Sequence, residues 1–249
     1  METSKKNIFD IVIPVGPNDV SQLERNLKYT RQNIRGYRNI YIVTRKDITF
    51  QNCITVNENV FPFTLNDVWK LTKCKKDRSG WYFQQLVKLY AWRCINNILD
   101  TYLVIDCDTF FLRPVDFVKD GKCLYNTGTE HHQPYFNHLK KLDLSWTRVF
   151  EKKSGICHHM IFQKKYLEEI FMEIEAKHLF EDFYKIFLRC VRYSGDLFCG
   201  CSEYELYFNY IFKRHPSEVS LRPLKWKNVC TLESNYVGYD YISYHWYNR

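Results

Sequence analysis

Leu103-Val104-Ile105-Asp106-Cys107-Asp108-Thr109 is the stretch on which the reading of this chain turns. Tyr102 to Ile105 is apolar on both faces, the mark of a central strand in a sheet covered on both sides. It runs straight into two aspartates. Side chains alternate along a strand, so the carboxylates of Asp106 and Asp108 are expected on one side and Cys107 on the other. Two hard oxygen donors at the carboxyl end of a buried parallel strand stand where open α/β sheets bind ligands. Such a pair suits Mg²⁺ or Mn²⁺ carrying a phosphorylated substrate. Carboxylates of a surface loop or a helix cap are the plain structural alternative.

Working outward, Trp81 to Leu99 is the clearest helix, with Phe83, Val87, Tyr90, Cys94 and Ile98 on one stripe and Gln84, Lys88 and Arg93 elsewhere. Near the start, Ile8 to Ile13 is a short β-branched run stopped by Pro14-Val15-Gly16-Pro17, as a buried strand entering a loop should be. Asn18 or Asp19 is placed to cap a helix carrying Leu23, Leu27, Thr30 and Ile34, and Asn39 to Thr44 forms a second buried strand. Strand, helix, strand in this order predicts a parallel pair with a right-handed crossover. Cys53 to Val56 reads as a third strand joined without a helix, and Lys122 to Tyr125 as a later one. Helical patterns recur over 166–178, 181–192 and 203–213. No linker and no internal repeat divides the 249 residues, so one α/β domain is expected.

Composition narrows the function classes. Hydrophobic residues make up 45%, charged 26% and aromatic 17%, which excludes collagen-like and disordered readings. The nine glycines are about half the average share, and no two stand as G-x-G. The dinucleotide fingerprint is therefore absent, and the nearest approach to a P-loop, Gly195 to Gly200, has Cys201 where the lysine belongs. Phosphate, if bound, must be neutralised without a backbone-amide cradle. A net charge of +8 favours anionic partners. The basic residues are scattered, however, and no nucleic-acid module is present, so nucleic acid is not the expected partner.

Ten spread cysteines without a C-x-x-C read as buried small side chains in a reducing compartment. Without a signal peptide or a long apolar run, the expectation is a soluble cytoplasmic protein with no transmembrane segment, compatible with peripheral membrane contact. The Glu130-His131-His132 run lacks metalloprotease spacing and reads as a surface turn. Several tryptophans, Trp81, Trp92, Trp146, Trp226 and Trp246, would serve either the core or as platforms for rings. Ser202 can cap the helix that follows, putting Glu203 and Glu205 in its first turn, where the helix dipole favours negative charge. Either carboxylate would also suit a general base.

Four segments in this order resemble the GT-A glycosyltransferases, which use nucleotide-sugar donors and a D-x-D motif ending a central strand. They are the opening strand with its Pro-Val-Gly-Pro loop, G-W-Y-F-Q-Q-L-V-K-L at 80–89, I-D-C-D-T-F-F-L-R-P at 105–114 and S-E-Y-E-L-Y at 202–207. Together they look like the small single-domain enzymes of bacterial surface polysaccharide and large-DNA-virus glycan synthesis. The resemblance implies a single GT-A (Rossmann-like) domain over 1–249, with a nucleotide-binding half at 1–110 and an acceptor-binding half at 111–249.

It also implies roles. Pro14, Val15 and Gly16 would hold the nucleoside with help from Arg45, which is otherwise a solvent-facing strand end. Lys88 would reach a donor phosphate or the sugar, and is otherwise a surface lysine. Asp106 would contact the ribose or sugar, and Asp106 and Asp108 would hold the metal and diphosphate. His245, in the aromatic tail 241–247, would be a third metal ligand or else packing. Gly155, His158 and His159 fall where the family contacts donor sugar or acceptor. Glu203 matches the family's base, with Glu205 in reserve.

The implied activity is transfer from a UDP-sugar to a hydroxyl of a glycan, lipid-linked or protein-linked acceptor, with Mn²⁺ or Mg²⁺ and with inversion. Alternatives are a nucleotidyl- or phosphotransferase using the same aspartates, and an inactive sugar-binding protein on the same fold.

Overall fold

The computed structural model describes residues 9–233 and 235–245. Ile8 of the first expected strand and Trp246 and Tyr247 of the aromatic tail lie outside them. The chain begins with β1 (Phe9–Pro14), α1 (Val20–Asn33), β2 (Tyr37–Thr44) and β3 (Ile54–Asn57), as the sequence predicts. Next come α2 (Leu65–Thr72), α3 (Ser79–Cys94), β4 (Thr101–Ile105) and β5 (Thr109–Phe111). β6 (Val118–Lys119) and β7 (Lys122–Tyr125) form a hairpin, followed by α4 (Gln133–Leu142) and β8 (His159–Gln163). The last part holds α5 (Lys164–Lys177), α6 (Phe183–Cys190), α7 (Glu203–Arg214), β9 (Val219–Leu221), β10 (Trp226–Asn228) and β11 (Tyr241–Ser243).

The central sheet has the order β3-β2-β1-β4-β8, parallel throughout except for β8, which runs antiparallel to β4. Helices flank it, giving the mixed α/β, GT-A-like architecture expected. Two three-stranded sheets, β10-β11-β5 and β6-β7-β9, extend it. β1 and β4 are buried along nearly their whole length. Continuous apolar strands of this kind require cover on both faces, and one large core supplies it.

Several local details depart from the expectations. α3 stops at Cys94 rather than at Leu99, because Ile95 turns extended and Asn97 takes a left-handed φ of 59°. The freed turn is held elsewhere: Asn97 O accepts from Arg38 Nη2 at 2.6 Å and Leu99 N donates to Asp10 at 2.8 Å. β4 ends at Ile105, so Asp106–Asp108 form a turn closed by Thr109 N donating to Asp106 O at 2.9 Å. The two carboxylates are thus placed by a turn and not by strand alternation. Two helices have no counterpart in the expectations. α2 is fixed by a capping box between Thr64 and Asp67, and α4 begins directly after His132, which pairs with Asp196 at 3.2 Å.

All ten cysteines are free thiols. No helix among the described residues is long and apolar enough to cross a membrane.

Asp10, fully buried in β1, accepts from Arg38 Nε and Nη2, Asn39 N and Leu99 N, joining β1 to β2 and to the turn before β4. Asp10→Ala is expected to lower unfolding free energy by about 2–4 kcal/mol; an unchanged urea midpoint would contradict this role. His159 lies edge-on to Phe111, Phe117 and Tyr241, and burial pushes its imidazole pKa down to about 3. A histidine kept neutral in the fold but free to protonate when unfolded makes stability fall as pH drops below its unfolded value. His159→Phe should flatten the slope of stability against pH between 6 and 4 by up to about 1.4 kcal/mol per pH unit. Parallel slopes for variant and wild type would contradict that assignment.

Candidate functional site

Four chain segments meet at the carboxyl end of β4. Antiparallel pairing places His159 opposite Ile105, so the start of β8 lies beside the Asp106 turn, and Asp106 N donates to His158 O at 3.0 Å. β11 pairs antiparallel with β5, setting Ser243 opposite Thr109, and Tyr244 N donates to Asp108 O at 2.8 Å. This ladder delivers His245 to the turn, with its ring 5.3 Å from that of His158. α3 brings Lys88 and the start of α7 brings Glu203.

Lys88 is the centre of the cluster. Its side chain is 7% exposed, and Nζ lies 2.6 Å from Asp106 Oδ1 and 2.7 Å from Glu203 Oε1. Nζ also donates to the Tyr204 hydroxyl at 3.1 Å, and that hydroxyl donates to Asp106 Oδ1 at 2.9 Å. Burial alone would pull the lysine's pKa down, yet the two carboxylates overcome it and hold the ammonium above its ordinary range. For Asp106 burial pushes upward, and Lys88 with His158 wins, keeping the carboxyl well below the usual range. Glu203 goes the other way: its burial raises it against the pull of Lys88. His158, whose burial opposes charge, is raised by its contact with Asp106, Nδ1 to Oδ2 at 3.4 Å.

The backbone around this cluster is specialised. His158 has φ 62°, a left-handed conformation costing a non-glycine residue about 1 kcal/mol. Asn26 of α1 donates through Nδ2 to the carbonyls of Asp106 at 3.3 Å and Thr109 at 2.8 Å, pinning the turn. Ser202 caps α7 by accepting from Glu205 N at 3.2 Å, and Gln85 Oε1 accepts from Glu203 N at 3.1 Å.

The other candidates divide. Pro14 ends β1 and Val15 and Gly16 follow it; Val15 N donates to Val43 O at 2.8 Å, and a Cβ on Gly16 would come within 3.3 Å of Gln84 Nε2 on α3. Arg45 is half-exposed, pairs with Glu58 and lies 5.6 Å from the Phe83 ring. Glu205 points elsewhere than Glu203: it accepts from Ser154 Oγ at 2.5 Å and Asn209 Nδ2 at 2.7 Å. Gly155 serves close packing, since a Cβ there would fall 2.5 Å from Phe208 Cβ and 2.7 Å from Tyr204 O. His159 is in the aromatic nest described above, whereas its neighbour His158 faces Asp106.

Two participants go beyond the sequence expectations. Tyr204 sits between the two acidic residues that drew attention, and Asn26 is a polar residue set within the apolar stripe of α1. Trp226, expected to serve the core or as a platform for rings, stands edge-on to His158 at 5.4 Å. An amide on an otherwise apolar helix face was the available signal for Asn26.

Among the described residues no three His, Cys, Asp or Glu side chains form a metal cage. Asp108, with Ser243 Oγ 3.5 Å from its Oδ1, and the neighbouring His245 offer hard oxygen and imidazole donors. Mg²⁺-type sites commonly take one or two protein ligands and complete their shell with substrate phosphates and water, so this donor set fits a nucleotide-bound cation.

No curated protein sequence matches the chain significantly. Its structure is similar to the crystal structure of mouse xyloside xylosyltransferase 1 in its apo form, with a TM-score of 0.50 over 97% of this chain and 99% of that one. At 12% identity the likeness is one of fold. The sequence profile of DUF6492, a family of unknown function, matches residues 4–236, and the chain belongs to that family.

Proposed function

We propose that the protein is a glycosyltransferase that moves a sugar from a UDP-sugar donor to a hydroxyl of a glycan, lipid-linked or protein-linked acceptor. One observation carries this reading: a buried lysine holding an aspartate at the carboxyl end of β4, with a second aspartate and a late histidine brought to the same turn. The fold shared with a xylosyltransferase supports it.

In this reading residues 1–110 supply most of the nucleotide side and 111–249 the acceptor side, although Glu203 and His245 cross over to the D-x-D turn. Asp108 and His245 would hold Mn²⁺ or Mg²⁺, which when bound offsets diphosphate charge and stabilises UDP as leaving group. Lys88, fixed by Asp106 and Glu203, adds a permanent cation beside the donor. Asp106, kept ionised, accepts hydrogen bonds from donor hydroxyls with its Oδ2 edge. The loop Pro14–Gly16 lies beside the turn, where the nucleoside would rest.

Transfer forms a bond from the acceptor oxygen to the anomeric carbon. The bond from that carbon to the diphosphate oxygen breaks, its electron pair leaving on UDP. The hydroxyl proton passes to Glu203, whose burial raises its proton affinity. A single displacement of this kind inverts the anomeric configuration.

UDP with Mn²⁺ at 100 times its Kd should stabilise the wild-type protein by about 2.7 kcal/mol, a rise in Tm of roughly 5–10 °C. Asp108→Ala should remove the Mn²⁺-dependent part of that rise and UDP release from UDP-sugars with it. Survival of both in the variant, or pyrophosphate release from nucleoside triphosphates in place of UDP release, would overturn the reading.

A further inference from the structure

Beside the D-x-D turn, lined by residues of α1 and β5, lies a cavity of about 380 Å³ that the site described above does not use. Its walls come from an apolar cluster separate from the main core, built on Phe110 and Ile242. Tyr29 meets Phe110 edge-on at 5.9 Å, and Tyr236 and Tyr239 close the side formed by the last part of the chain.

The charged side chains that line this cavity are both basic. Arg25 and Arg113 line it, and among the described residues neither guanidinium has a carboxylate or hydrogen-bond partner. Lys227 lies 5.0 Å from the Tyr236 ring and 4.9 Å from that of Tyr239, and Lys225 lies 5.1 Å from Tyr239. Among the described residues no acidic side chain lines the cavity, and Asp240, which follows Tyr239, is held by Lys225 N at 2.7 Å.

We infer that this cavity binds a sugar bearing a phosphate or carboxylate, and that this sugar is part of the acceptor. Aromatic walls offer flat faces for a pyranose ring, and a guanidinium pair matches the planar, multi-oxygen geometry of an anionic substituent. The volume falls in the range of small-molecule sites. Proximity to the reaction centre supports the acceptor role. Phe110 is two residues beyond Asp108 and Ile242 three before His245, so at about 3.3 Å per residue the cavity begins roughly 7–10 Å from the turn.

The acceptor assignment rests on the glycosyltransferase reading, whereas occupancy of the cavity does not, and separate readouts keep them apart. Binding is measured by saturation-transfer NMR and calorimetry on the full chain with methyl glucuronide, glucose 6-phosphate, methyl glucoside and inorganic phosphate. The anionic sugars should bind at least tenfold more tightly than methyl glucoside and than inorganic phosphate. Arg25→Gln with Arg113→Gln, both exposed positions, should erase that margin while leaving the Tm rise with UDP and Mn²⁺ intact.

Equal binding of charged and neutral sugars, phosphate alone binding as well as the sugar phosphate, or an unaffected double variant would each overturn the cavity assignment. In transfer assays the double variant should raise KM for the anionic acceptor at least tenfold with kcat within twofold, and an unchanged KM would overturn the acceptor role. Absence of UDP release from every donor, with anionic-sugar binding retained, would instead mark the failure of the glycosyltransferase reading.

Discussion

An ammonium withdrawn from water between two carboxylates governs this structure. Lys88 is enclosed by α3, the end of β4 and the start of α7, and each of these elements donates one member of the Lys88–Asp106–Glu203 cluster. A buried charge left without its partner costs about 3–5 kcal/mol, so the three elements must keep their relative placement. Tyr204 tightens the constraint by bonding to both Lys88 and Asp106 and offering its ring to the ammonium at 4.3 Å. The result is an aspartate held ionised, with one edge turned to His158 and open enough to remain a quarter exposed.

Sheet topology assembles the rest around that fixed point. Reversal of β8 relative to β4 puts His158 at the carboxyl end of β4, and pairing of β11 with β5 brings Tyr244 to Asp108. The strained backbone of His158 persists because its carbonyl accepts from Asp106 N and its ring is wedged between Trp226 and His245. Asn26 secures the same turn from beneath. Charge, strain and ordered loops thus concentrate within a few residues of the D-x-D, as is common where ligands are bound.

Much of this was legible in the sequence where the signal is local. The apolar runs of β1, β2 and β4 and the stripe of α1 are found where hydrophobic patterning puts them, and Ser202 caps α7 as its position requires. The burial of Lys88 was not legible, because α3 is covered on nearly every side and its apolar residues do not confine themselves to one stripe. Nor could alternation foresee that β4 gives way at Ile105, where a turn closed by Thr109 N on Asp106 O is pinned by the distant Asn26. The same holds for Arg45, Glu205 and Gly155, whose partners Glu58, Ser154 and Phe208 are set by tertiary contact.

The central claim, that the Lys88–Asp106 pair and Asp108 form the seat of a nucleotide diphosphate, is tested most directly by a crystal structure of the protein soaked with UDP and Mn²⁺. The account predicts diphosphate density beside Asp108 with the cation between them, the uracil over the Pro14–Gly16 loop and the Lys88–Asp106 pair intact. UDP seated only in the outer cavity between Arg25 and Arg113, with the D-x-D turn left empty, would contradict it.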